Sequence, residues 1–279
     1  MFNLDDSKMA EVVSGYQIPV KPQVLTNIQN EMAELEPSIE NISNLMSNDV
    51  GLSSATLKII NSPFYGMNRR ISEIKQAVMM LGLDTIKGLV TALLLKQSFK
   101  GNASISLERF WDDATDIANA MTYIGSKIKN EIPVDMLYTI GLFHDCGIPL
   151  LALKYDNYKN VLIEANKLGD NTIKLEEIHY STNHAVMGYY IASSWHLPKN
   201  ICDLILQHHE KDYLAHVKEP EMQLAYCALK VAENMVERVK RYGSSPDWEK
   251  LESDVLELIG ISSTEYKDLE DDFSEIYNS

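Results

Sequence analysis

Residues 59–66 read IINSPFYG, and this stretch marks the point where one helix ends and the chain turns. The apolar residues leading into it recur with helical spacing: Leu52, Leu57, Ile59 and Ile60. Asn61-Ser62-Pro63 then ends the helix, because a proline disfavours helical backbone in the residue before it. The stretch therefore predicts a helix that begins after Asp49, followed by a loop at Gly66 and Asn68.

The segments on both sides of this stretch also have helical periodicity, and no segment shows the alternation typical of a half-buried strand. Small, polar, helix-breaking residues interrupt the pattern at 100–104 and at 243–246. We therefore predict an all-α protein, a two-lobed helical bundle with a short acidic helical appendage at its C-terminal end. The predicted boundaries are 1–105 for the first lobe, 106–242 for the second lobe and 243–279 for the appendage.

Composition and charge exclude several classes of protein. The chain has 279 residues, of which 45% are hydrophobic, so a wholly disordered chain is excluded. Its net charge is −15, from 25 basic and 40 acidic residues, which argues against a duplex nucleic acid or an anionic membrane as partner. The appendage alone holds 11 acidic and 2 basic residues, so most of the excess lies there. We expect the appendage to serve partner selection or solubility, and its removal to leave the two lobes folded.

Cysteine spacing, the first residues and the length of the apolar runs bear on where in the cell the protein is found. The three cysteines form no CxxC pair, and the first residues do not read as a signal peptide. The longest apolar run, residues 89–95, is too short to cross a bilayer. We therefore expect a cytoplasmic protein with reduced thiols and no membrane partner.

Three histidine motifs lie on successive helical segments of the second lobe. His144-Asp145 lies inside an apolar helix predicted near 134–152, His184 lies on a later helix, and His208-His209 ends a further helix. A buried imidazole beside a buried carboxylate is costly unless the two are paired or bind a metal. Imidazole and carboxylate ligands suit a first-row divalent ion. The alternatives are a chance dipeptide at residues 144–145 and a pair at 208–209 that only complements a helix dipole.

The chain resembles the HDOD family, a bacterial signalling module related to the HD phosphohydrolase superfamily. The resemblance covers roughly residues 16–241 and is most specific in the first lobe. It rests on IPVKP at 18–22, NDVGL at 48–52, the stretch at 59–66 and Leu-Gly-Leu at 81–83. It implies that the second lobe has the HD-like helical fold.

The resemblance also implies a metal site, with a divalent ion (Mn, Fe, Mg, Ni or Zn) or with none. Its candidate ligands are His144, Asp145, His184, His208, His209, Asp113 and Glu233. Two of these depart from the pattern of the active phosphohydrolases. Asp113 stands where the early helix of those enzymes has a histidine, and Glu233 stands where their late helix has an aspartate. Asp113 replaces a nitrogen ligand by an anionic oxygen, and Glu233 adds one methylene to the reach of the carboxylate. Together the two changes make the site more anionic and alter its geometry, although carboxylates still bind metals.

Two functions follow from this resemblance. The first is a non-catalytic signal-transduction output module with a degenerate HD metal site, which acts through interactions with signalling proteins. The alternative is a metal-dependent phosphohydrolase or phosphodiesterase with an altered ligand set, in which His144 and Asp145 take part in catalysis. In that case a metal-bound hydroxide must lie in line with a phosphorus, and a displacement of about 1 Å costs roughly 100-fold in rate.

Overall fold

The computed structural model of the protein describes residues 15–65, 69–128, 132–168 and 172–278. Every regular element among these residues is a helix and none is a strand, which confirms the all-α prediction. The predicted lobe boundaries serve below as labels for segments of the chain. The first-lobe segment contains α1 (Gln23–Met32), α2 (Ile39–Ser47), α3 (Val50–Ile60), a 3-10 turn (Pro63–Tyr65), α4 (Ile74–Leu81) and α5 (Leu83–Ser98).

The second lobe begins with α6 (Leu107–Lys127), α7 (Val134–Phe143), α8 (Gly147–Lys154), α9 (Tyr158–Leu168) and α10 (Thr172–Tyr180). It continues with α11 (His184–Ser194), α12 (Lys199–Gln207), α13 (Tyr213–His216) and α14 (Pro220–Arg241). The appendage contains α15 (Trp248–Ile259) and α16 (Ser263–Asn278).

Asn61, in the stretch that ends α3, fixes the chain that follows this helix. Its Oδ1 accepts a hydrogen bond from the backbone N–H of Ile71 at 2.7 Å. Its Nδ2 donates to the carbonyl oxygens of Leu57 and Ile71, each at 2.7 Å. One amide side chain thus ties the end of α3 to the segment that leads into α4. The loop predicted at Gly66 and Asn68 lies outside the described residues.

Two glycines let helices of the second lobe approach closely. A Cβ atom on Gly141 would lie 2.6 Å from the Cα of Ala118, so α7 meets α6 at a point with no room for a side chain. A Cβ atom on Gly147 would lie 2.0 Å from the carbonyl oxygen of His184. The start of α8 therefore lies directly against the start of α11, and this contact positions the residues of the candidate site.

The appendage shares the hydrophobic core of the two lobes. Trp248 and Phe273 belong to the same cluster of buried side chains as the helices of both lobes. The ring centroid of Phe273 lies 5.5 Å from that of Phe64 in the first lobe and 6.0 Å from that of Tyr123 in α6. The appendage therefore packs against both lobes, and this argues against the expectation that they fold without it.

Within the described residues, Met136–Lys154 is long and apolar enough to cross a membrane by length and composition. This stretch is 83% buried inside the fold, which is typical of a core helix. It also contains His144 and Asp145, so this apolar stretch carries two of the seven predicted metal ligands.

Candidate metal centre

Four side chains with metal-binding atoms converge in the second lobe. One ligand atom from each of Asp145, His184, His208 and His209 lies within 4.8 Å of the ligand atoms of the other three. All four were predicted ligands, and the fold brings them together from helices that are distant in sequence.

Helix ends place these residues. Asp145 lies in the short turn between α7 and α8, so the prediction of one continuous helix through His144-Asp145 is wrong. His184 is the first residue of α11. His208 caps the C-terminal end of α12, and His209 follows it. The close approach of Gly147 to the His184 carbonyl brings the turn and the start of α11 together. The site is therefore built where three helix ends meet.

His208 shows why this group fits a metal ion. Its Nδ1 lies 2.7 Å from the carbonyl oxygen of Ile205, which can only accept, so Nδ1 carries the hydrogen and donates it. Its Nε2 faces Asp145 Oδ1 at 3.2 Å, where a neutral ring presents a lone pair to a carboxylate. Burial lowers the pKa of His208, which disfavours a bridging proton. A divalent cation bound here would satisfy both atoms.

Glu176 orients His184 and was missed by the sequence analysis. Its Oε2 accepts a hydrogen bond from the His184 backbone N–H at 2.9 Å and lies 2.7 Å from His184 Nδ1. Its Oε1 accepts a hydrogen bond from the hydroxyl of Tyr158. Glu176 is fully buried. Carboxylates in this position fix the ring of a metal-binding histidine and leave its Nε2 for the metal. The sequence offers no signal for it beyond a glutamate eight residues before His184.

The ionisation of the site follows from its contacts. Burial raises the pKa of the Asp145 carboxyl, but the surrounding imidazoles, His144 first, hold that pKa well below its usual range. Burial lowers the pKa of the His184 imidazole, but Glu176 and Asp145 outweigh it and raise that pKa to about 10. Asp145 is therefore an anion at neutral pH, as a metal ligand must be.

His209 completes the group from the solvent side. Its Nε2 lies 2.9 Å from His184 Nε2, so the two imidazole nitrogens face each other. Burial and the neighbouring cationic groups hold the pKa of His209 well below its usual value. His209 is therefore neutral at physiological pH and able to accept from His184 or to bind a metal.

His144 and Glu233 lie beside this group. His144 Nδ1 is 2.7 Å from the Gly141 carbonyl oxygen, and its Nε2 is 3.4 Å from Asp145 Oδ2 and 3.8 Å from Glu233 Oε1. The other oxygen of Glu233, Oε2, accepts a hydrogen bond from Lys230 Nζ at 2.9 Å. Lys230 was not predicted to take part in the site.

The structure does not place Asp113 in the cluster. Its carboxylate oxygens lie 2.5 Å from Lys240 Nζ and 2.6 Å from Arg241, at the C-terminal end of α14. Lys240 also pairs with Asp116, which accepts a hydrogen bond from the Tyr277 hydroxyl of the appendage at 3.2 Å. Asp113 thus has its charge balanced by two cations, and it ties α6 to α14 rather than to the histidines.

Comparison with known sequences places this site in a family. The HDOD domain family matches residues 18–211 of the chain. An uncharacterized protein of Treponema pallidum (strain Nichols) is 25% identical over 206 residues, in an alignment that covers 72% of this chain. The same alignment covers 39% of that protein, so the chain spans well under half of the relative's length.

Solved structures share the fold. An HDOD domain protein with unknown function from Geobacter sulfurreducens matches with a TM-score of 0.64 and 22% identity, over 92% of this chain and 97% of that one. A "Putative signal transduction protein" from Marinobacter aquaeolei VT8 matches with a TM-score of 0.72 and 16% identity, over 100% of this chain and 65% of that one. These likenesses show the fold, and the family match over residues 18–211 shows the lineage: the chain belongs to the HDOD family.

Proposed function

We propose that this protein is a signalling output module whose HD-like lobe binds a metal ion and acts through contacts with a protein partner rather than by turnover. The observation that carries this proposal is the division among the expected ligands. Asp145, His184, His208 and His209 form a compact group, whereas Asp113 is engaged with Lys240 and Arg241. The compact group suits metal binding. Without Asp113 beside it, the site lacks the fixed ligand geometry that hydrolysis requires.

A metal ion in this group would have a structural role. It would join the turn before α8, the first residue of α11 and the end of α12, which meet through the His184–His209 and His208–Asp145 contacts. When bound, a divalent ion supplies a Lewis acid, and the chain supplies its orientation through Glu176, Gly141 and Ile205. The state of the site is thereby coupled to the packing of three helices that also reach the protein surface.

The partner is expected to be a signalling protein. The Marinobacter protein with the same fold is named for signal transduction, which supports a role of this class. The appendage offers an acidic surface with exposed Asp268, Asp271 and Glu275 on α16, which suits a basic partner. Phe64 of the first lobe is packed against Phe273 of the appendage.

A metal-dependent phosphohydrolase is the second candidate, and one observation favours it. The ammonium of Lys230 is buried beside Glu233, close to the metal-binding histidines, where a cation would attract a phosphate. Against it, the same ammonium is already paired with a carboxylate, and Asp113 is held away from the group.

Metal content and turnover, measured on one preparation, distinguish the two functions. Protein purified without added metal or chelator is expected to carry a transition metal and to leave a generic phosphodiester intact, with or without Mn²⁺. His208→Ala removes a buried ligand and is expected to abolish metal binding. His216→Ala is the matched control, because His216 is 67% exposed and pairs with Asp212 at the surface.

Two outcomes would contradict the proposal. Turnover that requires metal and disappears in His208→Ala would establish the phosphohydrolase. If the wild-type protein binds no transition metal, even after equilibration with Mn²⁺, the proposed metal site is wrong.

A further inference from the structure

Lys230 is a buried cation at the edge of the metal-binding group. Its side chain is 4% exposed, and its Nζ lies 2.9 Å from Glu233 Oε2, one turn further along α14. The ammonium also lies 5.5 Å from the centre of the Tyr226 ring. A lysine is almost never buried to this extent unless it is paired, so its position needs an explanation.

Asp145 divides the surrounding ligand atoms into two sets. Its Oδ1 faces His184 Nε2 at 3.3 Å and His208 Nε2 at 3.2 Å, and these belong to the compact group. Its Oδ2 faces His144 Nε2 at 3.4 Å, and that nitrogen in turn lies 3.8 Å from Glu233 Oε1. The carboxylate is thus arranged like a bridge between a first and a second cation position.

The two positions differ in charge. The compact group contributes a carboxylate and three imidazoles, whose protons a metal ion displaces, and it contains no lysine or arginine. At the second position the carboxylate of Glu233 already holds the ammonium of Lys230. A divalent ion there would have to bind beside a buried positive charge and compete with it for Glu233, and such a repulsion is strong where water is excluded.

The second position is also short of ligands. Asp113, the residue expected to extend it from α6, is paired with Lys240 and Arg241. Among the described residues, the second position is therefore formed by His144, Glu233 and the Oδ2 atom of Asp145.

We infer that the Lys230 ammonium takes the place of a second metal ion, so that the lobe holds a single ion at Asp145, His184, His208 and His209. This inference rests on the proposed metal site and specifies its stoichiometry. The sequence suggests His144 and Glu233 as metal ligands. In this arrangement Glu233 instead holds the Lys230 ammonium, and His144 orients the Asp145 carboxylate.

Metal stoichiometry tests the inference directly. Wild-type protein is equilibrated with excess Mn²⁺, passed through a desalting column and analysed for manganese per chain. We expect one ion per chain in the wild type. Lys230→Met keeps the approximate length of the side chain without its charge and is expected to bind two ions. Lys230→Arg, the matched control, keeps the charge and is expected to bind one. Adding His144→Ala to Lys230→Met is expected to return the count to one.

The possible results separate this inference from the proposed function. Two ions in the wild type would overturn the role of Lys230 and leave the metal site intact, whereas no ion in the wild type would overturn the metal site itself. A folded Lys230→Met that still binds one ion would also overturn the inference. If Lys230→Met does not fold, electron paramagnetic resonance of the wild type with Mn²⁺ tests the inference instead. The spectrum of an isolated Mn²⁺ ion is expected, and the spectrum of a spin-coupled pair would contradict a single site.

Discussion

At the scale of single residues, the site depends on which nitrogen of each histidine faces inward. His144 and His208 each place Nδ1 2.7 Å from a backbone carbonyl oxygen, and His184 places Nδ1 2.7 Å from Glu176. All three rings therefore present Nε2 to Asp145. Carbonyl and carboxylate acceptors thus fix Nε2 as the nitrogen of each ring that faces the site and that a metal ion would bind.

Replacement of Glu176 tests this orientation. We expect Glu176→Gln to lower the affinity for Mn²⁺ by roughly 10- to 100-fold, because an amide cannot fix the His184 ring as a carboxylate does. A competition titration against a metal-binding dye measures the change. Glu164→Gln, an exposed position on α9, is the control and is expected to leave the affinity unaltered. Equal affinity in the wild type and Glu176→Gln would mean that Glu176 has no part in metal binding.

At the scale of elements, the ends of helices build the site and close packing holds them in place. The turn between α7 and α8 carries Asp145, and the start of α11 carries His184. These two elements touch at Gly147, where any side chain would overlap the His184 carbonyl. The contact between α8 and α11 therefore sets the distance from Asp145 to His184, which is 3.3 Å between Oδ1 and Nε2.

Gly147→Ala tests the role of this contact. Its Cβ would lie 2.0 Å from the His184 carbonyl oxygen, so α8 and α11 must separate. We expect a loss of roughly 1–3 kcal/mol in the free energy of unfolding, together with weaker metal binding. Chemical denaturation and metal titration measure the two effects. Gly243→Ala is the control, since a Cβ there meets nothing within 4 Å. Unchanged metal affinity in Gly147→Ala would show that the site does not depend on this packing.

At the scale of the whole molecule, the appendage is part of the core. Trp248 and Phe273 are 2% and 0% exposed, and Phe273 contacts rings from both lobes. Tyr266 accepts a hydrogen bond from Asn234 of α14 at 2.7 Å, and Arg238 of α14 pairs with Glu270 at 2.9 Å. The acidic charge of the appendage therefore lies on the outer face of a packed element.

Phe273→Ala tests the contribution of the appendage to stability. Removal of a fully buried phenylalanine is expected to cost about 3–5 kcal/mol in the free energy of unfolding. A truncation to residues 1–242 is expected to lose more, because it exposes the surface under both α15 and α16. Glu275→Ala, exposed on the same helix, is the control. A truncated chain that unfolds at the same denaturant concentration as the full chain would show that the appendage is dispensable.

Much of the fold could be predicted from the sequence, because it depends on local patterns. The helix end at Asn61 follows from the proline two residues later, and the all-α class follows from apolar spacing. Family resemblance also indicated the four residues of the compact group. Asp113 was assigned by alignment alone, and its ion pairs with Lys240 and Arg241 depend on how α6 crosses α14.

The sequence by itself thus determined the all-α class and which side chains can bind a metal, since both depend on residue type and short spacing. Only the tertiary structure decided which of those side chains meet. It joined Glu176 to His184 and Lys230 to Glu233, and it turned Asp113 toward two cations. The physical reason is that buried charges are satisfied by whichever partners the packing brings within hydrogen-bonding distance, and packing between helices is set by contacts across the whole chain.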